Sequence, residues 1–340
     1  MKHLNLIQSV LPNTSRNPTL LSCRAHQRIW KYPASRTMTS DAPIPQTSLL
    51  FDKQPAFIYG TAWKKDQTKA LVKEAIVQGF RRIDTAAQPR HYQEALVGEA
   101  LREAYGQGLT SRNEIYLQTK YTTPAGQDMS NMPYDPSSPL ETQIHTSVAS
   151  SLQNLRTTED PEQGAYLDCL LLHSPLPTLE QTLQAWKLLE SYVPNKIRSL
   201  GISNVTLPVL EAIYKSSTTK PSVVQNRFYP QTGFDVALRA FCTSHDITYQ
   251  SFWTLTGNPA LLRSEPVVSL AQYCAVELPV ALYALVMNAG IMVLNGTTSA
   301  SHMRQDLDGL QKVRAWIETH PGDWKSLEEA FKALIEGAAR

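Results

Sequence analysis

The chain has 340 residues, 42% of them hydrophobic and 18% charged, a composition that excludes intrinsic disorder and fits a folded globular protein. Its net charge of +2 is uneven: residues 1–40 carry six basic side chains and no Asp or Glu, leaving 26 basic against 30 acidic residues, a net of −4, in the remainder. Such a body offers no basic field for nucleic acid, and no apolar run reaches the roughly 18 residues of a membrane span, 278–287 being the longest candidate.

Taken in chain order, the basic, acid-free start has the character of a mitochondrial transit peptide, or of a disordered extension ahead of an internal start at Met38. Residues 1–45 are therefore expected to be a targeting or disordered extension of a mitochondrial or cytoplasmic protein, and 46–340 the folded domain. From Pro55 onward, short β-like runs alternate with longer helical patterns. The runs are 56–59, 80–84, 115–119, 167–172, 197–202, 223–228, 248–253 and 291–294. Between the first two, apolar positions 71, 72, 75 and 76 follow helical spacing and Gly79 is placed to end the helix. Residues 94–105, 141–155, 180–192 and 207–215 repeat that pattern, and 324–334 reads as a C-terminal helix.

Alternation of β and α predicts a parallel sheet, and eight units over roughly 250 residues have the size of a closed (β/α)8 TIM barrel. The doubly wound alternative lacks its glycine-rich turn, because Tyr59-Gly-Thr-Ala-Trp-Lys64 offers one glycine where that turn needs three. Residues 127–139, rich in Pro, Ser, Asp and Met, read as a long loop on the barrel rim. The four cysteines form no CxxC pair, and Cys169 inside an apolar run reads as a buried thiol.

Asp84, Lys120 and His173 each stand at the polar end of one of these runs, with Tyr92 shortly after the first. Ionisable residues at strand ends are how a (β/α)8 barrel supplies an active site. Taken singly, a strand-end Asp is a cap or an ion-pair partner, a Lys is solvated and a His is a hydrogen-bonded core residue. Delivered together in this order, they point to catalysis.

Seven segments carry a more specific likeness: Gly79-Phe-Arg-Arg-Ile-Asp-Thr-Ala86, His91-Tyr-Gln-Glu94, Val97-Gly98, Gln118-Thr-Lys-Tyr121, Leu171-Leu-His-Ser-Pro175, Gly201-Ile-Ser-Asn204 and Val224-Gln-Asn226. In their order and spacing the chain resembles the aldo-keto reductase superfamily over residues 55–310, and Ala86-Ala-Gln-Pro-Arg-His-Tyr92 is similar to fungal-type members. The resemblance implies NAD(P)H-dependent interconversion of aldehydes or ketones, sugar carbonyls among them, and alcohols. Tyr92 would be the general acid, Lys120 would stabilise its anion, Asp84 would hold Lys120, and His173 would hydrogen-bond the carbonyl oxygen. The segment from Asp84 to Tyr92 is longer than the family pattern, with Gln88-Pro-Arg90 as the insertion, and His91 competes for the acid role.

The resemblance also implies a cofactor site. Ser203, Asn204 and Gln225 would hold the nicotinamide carboxamide, with Trp253 or its neighbour Phe252 stacked on the ring. Gly60, Thr61, Asp84, Thr254, Asn295 and Thr297 complete the expected contacts. NADP is the expected cofactor and NAD the alternative, because 294–299 lacks the Lys-Ser of many NADP-preferring members and leaves Arg304 to reach a 2′-phosphate. Trp63 and Tyr121, with His173 and the 127–139 loop, are expected to line a pocket for a small carbonyl or alcohol. A monomer or weak dimer is expected. Two other readings stay open: a non-enzymatic, nicotinamide-sensing regulatory subunit of the same fold, and a metal-dependent barrel hydrolase. The second is disfavoured because the eight histidines form no HxH pair and only His173 stands at a strand tip.

Overall fold

Eight strands close into a barrel in chain order, each paired in parallel with the next and the eighth with the first. The computed structural model describes residues 49–50, 56–158, 160 and 165–337; the expected extension 1–45 lies outside the described residues. The strands are β1 (Phe57–Gly60), β2 (Arg82–Asp84), β3 (Tyr116–Tyr121), β4 (Cys169–Leu172), β5 (Leu200–Ser203), β6 (Val223–Arg227), β7 (Thr248–Phe252) and β8 (Met292–Asn295). Each falls within its expected run or overlaps it, and the barrel is the (β/α)8 fold read from the alternation.

The crossing helices are α1 (Thr68–Gln78), α2 (Glu94–Gly106), α3 (Leu140–Asn154), α4 (Leu179–Glu190), α5 (Leu207–Ser216) and α6 (Val236–Ser244). Gly79 ends α1 in a left-handed conformation (φ 114°), its N–H closing on the carbonyls of Ala75 and Ile76. Between β7 and β8, where no helix was singled out from the sequence, three are present: α7 (Pro259–Leu262), α8 (Glu265–Cys274) and α9 (Leu278–Asn288). Each begins with a proline in its first turn, which cuts the segment into pieces. Helix α9 is buried continuously from Val280 to Asn288, so it shows no amphipathic period to read. Two helices, α10 (Ala300–Thr319) and α11 (Pro321–Glu336), follow β8. Among the described residues no single helix is long and apolar enough to cross a membrane.

At the N-terminal end of β4, Asp168 accepts from Arg112 at 2.8 Å and Arg198 at 2.7 Å, and both guanidinium groups lie over the Tyr166 ring. This is the stability face of a barrel. On its flank, Glu94 of α2 is buried and accepts from Thr119 of β3 and from Ser151 and Asn154 of α3, tying two helices to one strand. Gly98, one turn further along α2, sets how closely those helices approach: a Cβ there would lie 1.8 Å from the Asn154 carbonyl oxygen. Gly98→Ala is expected to destabilise the fold by about 3 kcal/mol, because backbone must move to relieve the overlap. Gly106→Ala on the same helix meets nothing within 4 Å and should be neutral or slightly stabilising. Urea unfolding of the two variants checks the contrast, and equal midpoints would remove the packing argument.

Candidate active site

Five polar side chains fill the barrel interior beneath the C-terminal rim. Asp84 ends β2 and Lys120 stands on β3, and both are fully buried. The Lys120 ammonium donates to Asp84 Oδ1 at 2.7 Å, to Oδ2 at 2.6 Å and to the Thr85 carbonyl at 2.9 Å. Asp84 Oδ1 also accepts from Gln118 Nε2 at 2.6 Å and Gln225 Nε2 at 3.0 Å. Gln250 Oε1 on β7 accepts from the same two amides, and its own Nε2 donates to Gln118 Oε1 at 2.9 Å. A buried ion pair persists only if its remaining lone pairs and protons are satisfied, and the three glutamines do that here.

Gln118 and Gln250 were not foreseen as site residues. The available signal was a Gln at an inward-facing position of an otherwise apolar strand, where a polar group must find partners.

Above this layer stand Tyr92 and His173, 6.1 Å apart between ring centres. The Lys120 ammonium lies 5.0 Å from the centre of the Tyr92 ring. Burial raises the Tyr92 phenol above its ordinary value; the pull of Lys120 opposes this and Asp84 adds to it. The expectation that Lys120 favours the anion holds for its own contribution, but burial outweighs it and the phenol keeps its proton at neutral pH. Burial lowers the Lys120 ammonium, while Asp84 and Tyr92 raise it further, for a net upward shift. Burial, Lys120 and His91 together hold His173 well below the ordinary histidine range, so its ring is neutral. His173 Nδ1 meets Thr122 Oγ1 at 2.6 Å, and its main chain is held by Tyr121 O and Asn204 Nδ2.

Of the two candidates in the lengthened loop, Tyr92 is the one beside Lys120 and His173. The His91 ring packs on Trp63 at 3.9 Å and its Nδ1 meets Gln88 Oε1 at 3.1 Å. Gln88, from the insertion, is itself buried and donates to the Gly126 carbonyl. The extra residues thus brace the loop from below.

The expected cofactor residues gather on the same rim with unequal freedom. Asn204, in the left-handed region at φ 53°, is half-buried and its Oδ1 accepts from Arg227 at 2.7 Å. Ser203 Oγ donates to the Gln225 carbonyl. Trp253 is 50% exposed at φ 59°, whereas Phe252 is half-buried beside it, and Arg227 covers both rings. The side chains of Thr61, Thr254 and Asn295 are buried and committed, to Asp84 O, to Ser251 and to Asp306 respectively. Thr297 Oγ1 accepts from Ser299 N, and its carbonyl from Tyr59 Oη. Gly60 ends β1 opposite Asp84.

Two expectations are corrected. Tyr121 does not line a pocket: it is 0% exposed, packs on Tyr134 and points at Gln143 of α3. Successive strand residues face opposite ways, so with Lys120 inside the barrel its neighbour faces the helices. Arg304 does not reach the β8 loop; its Nε donates to Gln78 of α1 on the exposed outer surface. Trp63, by contrast, is 67% exposed at the rim. The 127–139 loop carries no helix or strand and is pinned down by Gln127 Nε2 on Ala87 O at 2.7 Å and Tyr134 Oη on Thr122 O at 2.6 Å.

Comparison with known proteins matches this geometry to one family. The profile of the Aldo/keto reductase family matches residues 53–266. An uncharacterized oxidoreductase of Schizosaccharomyces pombe is 28% identical over 254 residues, 72% of this chain and 78% of that protein. Methylglyoxal reductase DkgB of Escherichia coli O157:H7 is 30% identical over 261 residues, 74% of this chain and 86% of that one. Among solved structures, an aldo-keto reductase of Bombyx mori in complex with NADP superposes with a TM-score of 0.61 at 21% identity, covering 82% of this chain and 93% of that one. With the profile matching residues 53–266 and a relative 30% identical over 74% of this chain, the chain belongs to the aldo/keto reductase family.

Proposed function

We propose that this chain is an NADPH-dependent carbonyl reductase that converts aldehydes and ketones to alcohols, with Tyr92 as the general acid. The observation that carries the reading is the convergence of Tyr92, Lys120, Asp84 and His173 at one end of the barrel, with a protonated phenol and a neutral imidazole side by side. The rim suits a nicotinamide: Trp253 is half exposed there with Arg227 over its ring, and Ser203, Asn204 and Gln225 bring amide and hydroxyl groups to adjacent strand tips. When bound, that cofactor supplies a hydride for the carbonyl carbon.

The chain's own residues handle the oxygen. The Tyr92 Oη proton goes to the carbonyl oxygen, and the Lys120 ammonium, fixed by Asp84, stabilises the phenolate left behind. His173 contributes as a neutral donor. With Thr122 Oγ1 donating to Nδ1, the ring proton sits on Nε2 and is free to meet the carbonyl oxygen. The exposed Trp63 and the pinned 127–139 loop flank the entrance, which supports broad aldehyde and sugar-carbonyl use.

Initial rates with NADPH and NADH against a panel of aldehydes, ketones and open-chain sugars test this. Turnover of several aldehydes with NADPH is expected. Tight binding of either nucleotide with no turnover across the panel would replace the reading with a nicotinamide-sensing subunit.

A further inference from the structure

Thr122 follows β3 and is 3% exposed, and its hydroxyl stands 2.6 Å from His173 Nδ1. Burial, the Lys120 charge and His91 keep the His173 ring neutral. A neutral imidazole holds one proton, on Nδ1 or on Nε2, and only the second form lets Nε2 donate. The hydroxyl decides between them. It carries one proton, which needs an acceptor when the group is buried. Among the described residues, the one hydrogen-bonding group that Thr122 Oγ1 meets is His173 Nδ1. A ring proton on Nδ1 would donate to Oγ1 and strand the hydroxyl proton in a buried site. That stranding disfavours the Nδ1–H form by about 10–100-fold. With Oγ1 donating, Nδ1 accepts, the ring proton is on Nε2 and both partners are satisfied.

Thr122 is itself fixed from several sides. Its carbonyl accepts from Tyr134 Oη at 2.6 Å and from Gln127 Nε2 at 3.3 Å, so the 127–139 loop holds its main chain. Its γ-methyl abuts Gly126, where a Cβ would lie 2.8 Å away, so a larger residue there would have to turn the threonine. Gln88, from the lengthened segment between Asp84 and Tyr92, donates to the Gly126 carbonyl, and Gln127 Nε2 also donates to Ala87 O at 2.7 Å. Across the contact, the His173 N–H donates to the Tyr121 carbonyl and the His173 carbonyl accepts from Asn204 Nδ2. Hydroxyl and ring are thus both held by their surroundings, as a positioning contact requires.

We propose that Thr122 is a positioning residue of the reductase: its hydroxyl sets the Nε2–H tautomer of His173, and the two rim segments reach the reaction through it. The proposal rests on the reading of His173 as the hydrogen-bond donor to the carbonyl oxygen.

Nitrogen NMR of the full chain, grown with isotope-labelled histidine and recorded at neutral pH, reads the tautomer directly. The His173 signals are identified by their loss in His173→Gln. In the parent, Nδ1 is expected to resonate as a bare imidazole nitrogen and Nε2 as a protonated one. Thr122→Val keeps the shape and removes the hydroxyl, and should populate the Nδ1–H form alongside the other. It should also slow single-turnover aldehyde reduction by about 5–20-fold, less than the roughly 10²–10³-fold that outright loss of such a donor costs. The dissociation constant for NADPH should not change, and Thr122→Ser, which retains the hydroxyl, should keep both the tautomer and the rate. A parent spectrum with the proton on Nδ1 overturns the proposal. So does a Thr122→Val protein that stays wholly in the Nε2–H form or matches the parent's rate. Should Thr122→Val fail to fold, the parent decides alone: a slowly exchanging Thr122 hydroxyl proton close to Nδ1 supports the assignment, and a proton bonded to Nδ1 overturns it. The tautomer is read without turnover. Failure of the functional reading, with no carbonyl reduced by the parent, is therefore a separate result from failure of this one, with the proton on Nδ1 in a protein that reduces aldehydes.

Discussion

Tyr92→Phe is expected to lower the rate of aldehyde reduction about 10²–10⁴-fold while leaving the dissociation constant for NADPH unchanged. The substitution removes one oxygen and keeps the ring that packs beside His173 and under the reach of Lys120. Binding and folding therefore survive, and the loss falls on kcat. His91→Gln is the matched control, because the His91 ring is spent on Trp63 and Gln88. It should retain most of the activity; the opposite ranking of the two variants would move the acid role to His91. The pH profile provides a second check. The Tyr92 phenol is raised, so its proton is present through neutral pH and is lost only in alkali. His173 is held well below its ordinary value, so no inflection from it should appear near neutrality. A bell centred near the ordinary histidine value, abolished by His173→Gln, would instead give the imidazolium a part in the reaction.

Much of this was legible in the chain because the signals were local. A strand tip with an ionisable residue, a helix that ends at Gly79 and an apolar run of five residues can each be read without the fold. The barrel order followed from their alternation. What was not legible depends on where a side chain points once the barrel closes. Tyr121 and Lys120 are adjacent in sequence yet face opposite sides of β3, and only the pairing of Lys120 with Asp84 fixes which faces inward. Arg304 was misjudged for a similar reason, since the turn of α10 that carries it faces α1 and not the loop. The helices between β7 and β8 were missed for a different reason: three prolines and an all-apolar helix erased the period that marks an amphipathic helix. The glutamine network was hidden because its members come from three strands far apart in sequence, and no spacing rule connects Gln118, Gln225 and Gln250.

Asp84→Ala is expected to cost about 3–5 kcal/mol of stability, a large share of the roughly 5–15 kcal/mol a domain of ordinary stability has. The carboxylate accepts from Lys120, Gln118 and Gln225, so its removal strands a buried ammonium with the Thr85 carbonyl as its remaining named acceptor. The sign with pH is fixed by Lys120. Its folded-state pKa is raised, so its contribution is fully present below its unfolded value near 10.4 and disappears only as pH rises through the higher folded one. Urea unfolding at neutral pH therefore reads the whole effect. Pairing the change with Lys120→Met separates structure from chemistry. Replacing both members of a buried ion pair by apolar groups is often neutral or stabilising, by about 1–4 kcal/mol relative to the pair. Asp84→Leu combined with Lys120→Met should therefore recover much of the stability lost in Asp84→Ala, while aldehyde reduction stays as low as in Tyr92→Phe. Recovery of folding without activity would mean that the pair is retained for the proton on Tyr92. A double variant that stays as unstable as the single one would instead assign the pair to the integrity of the barrel, with the glutamine network as the structure that depends on it.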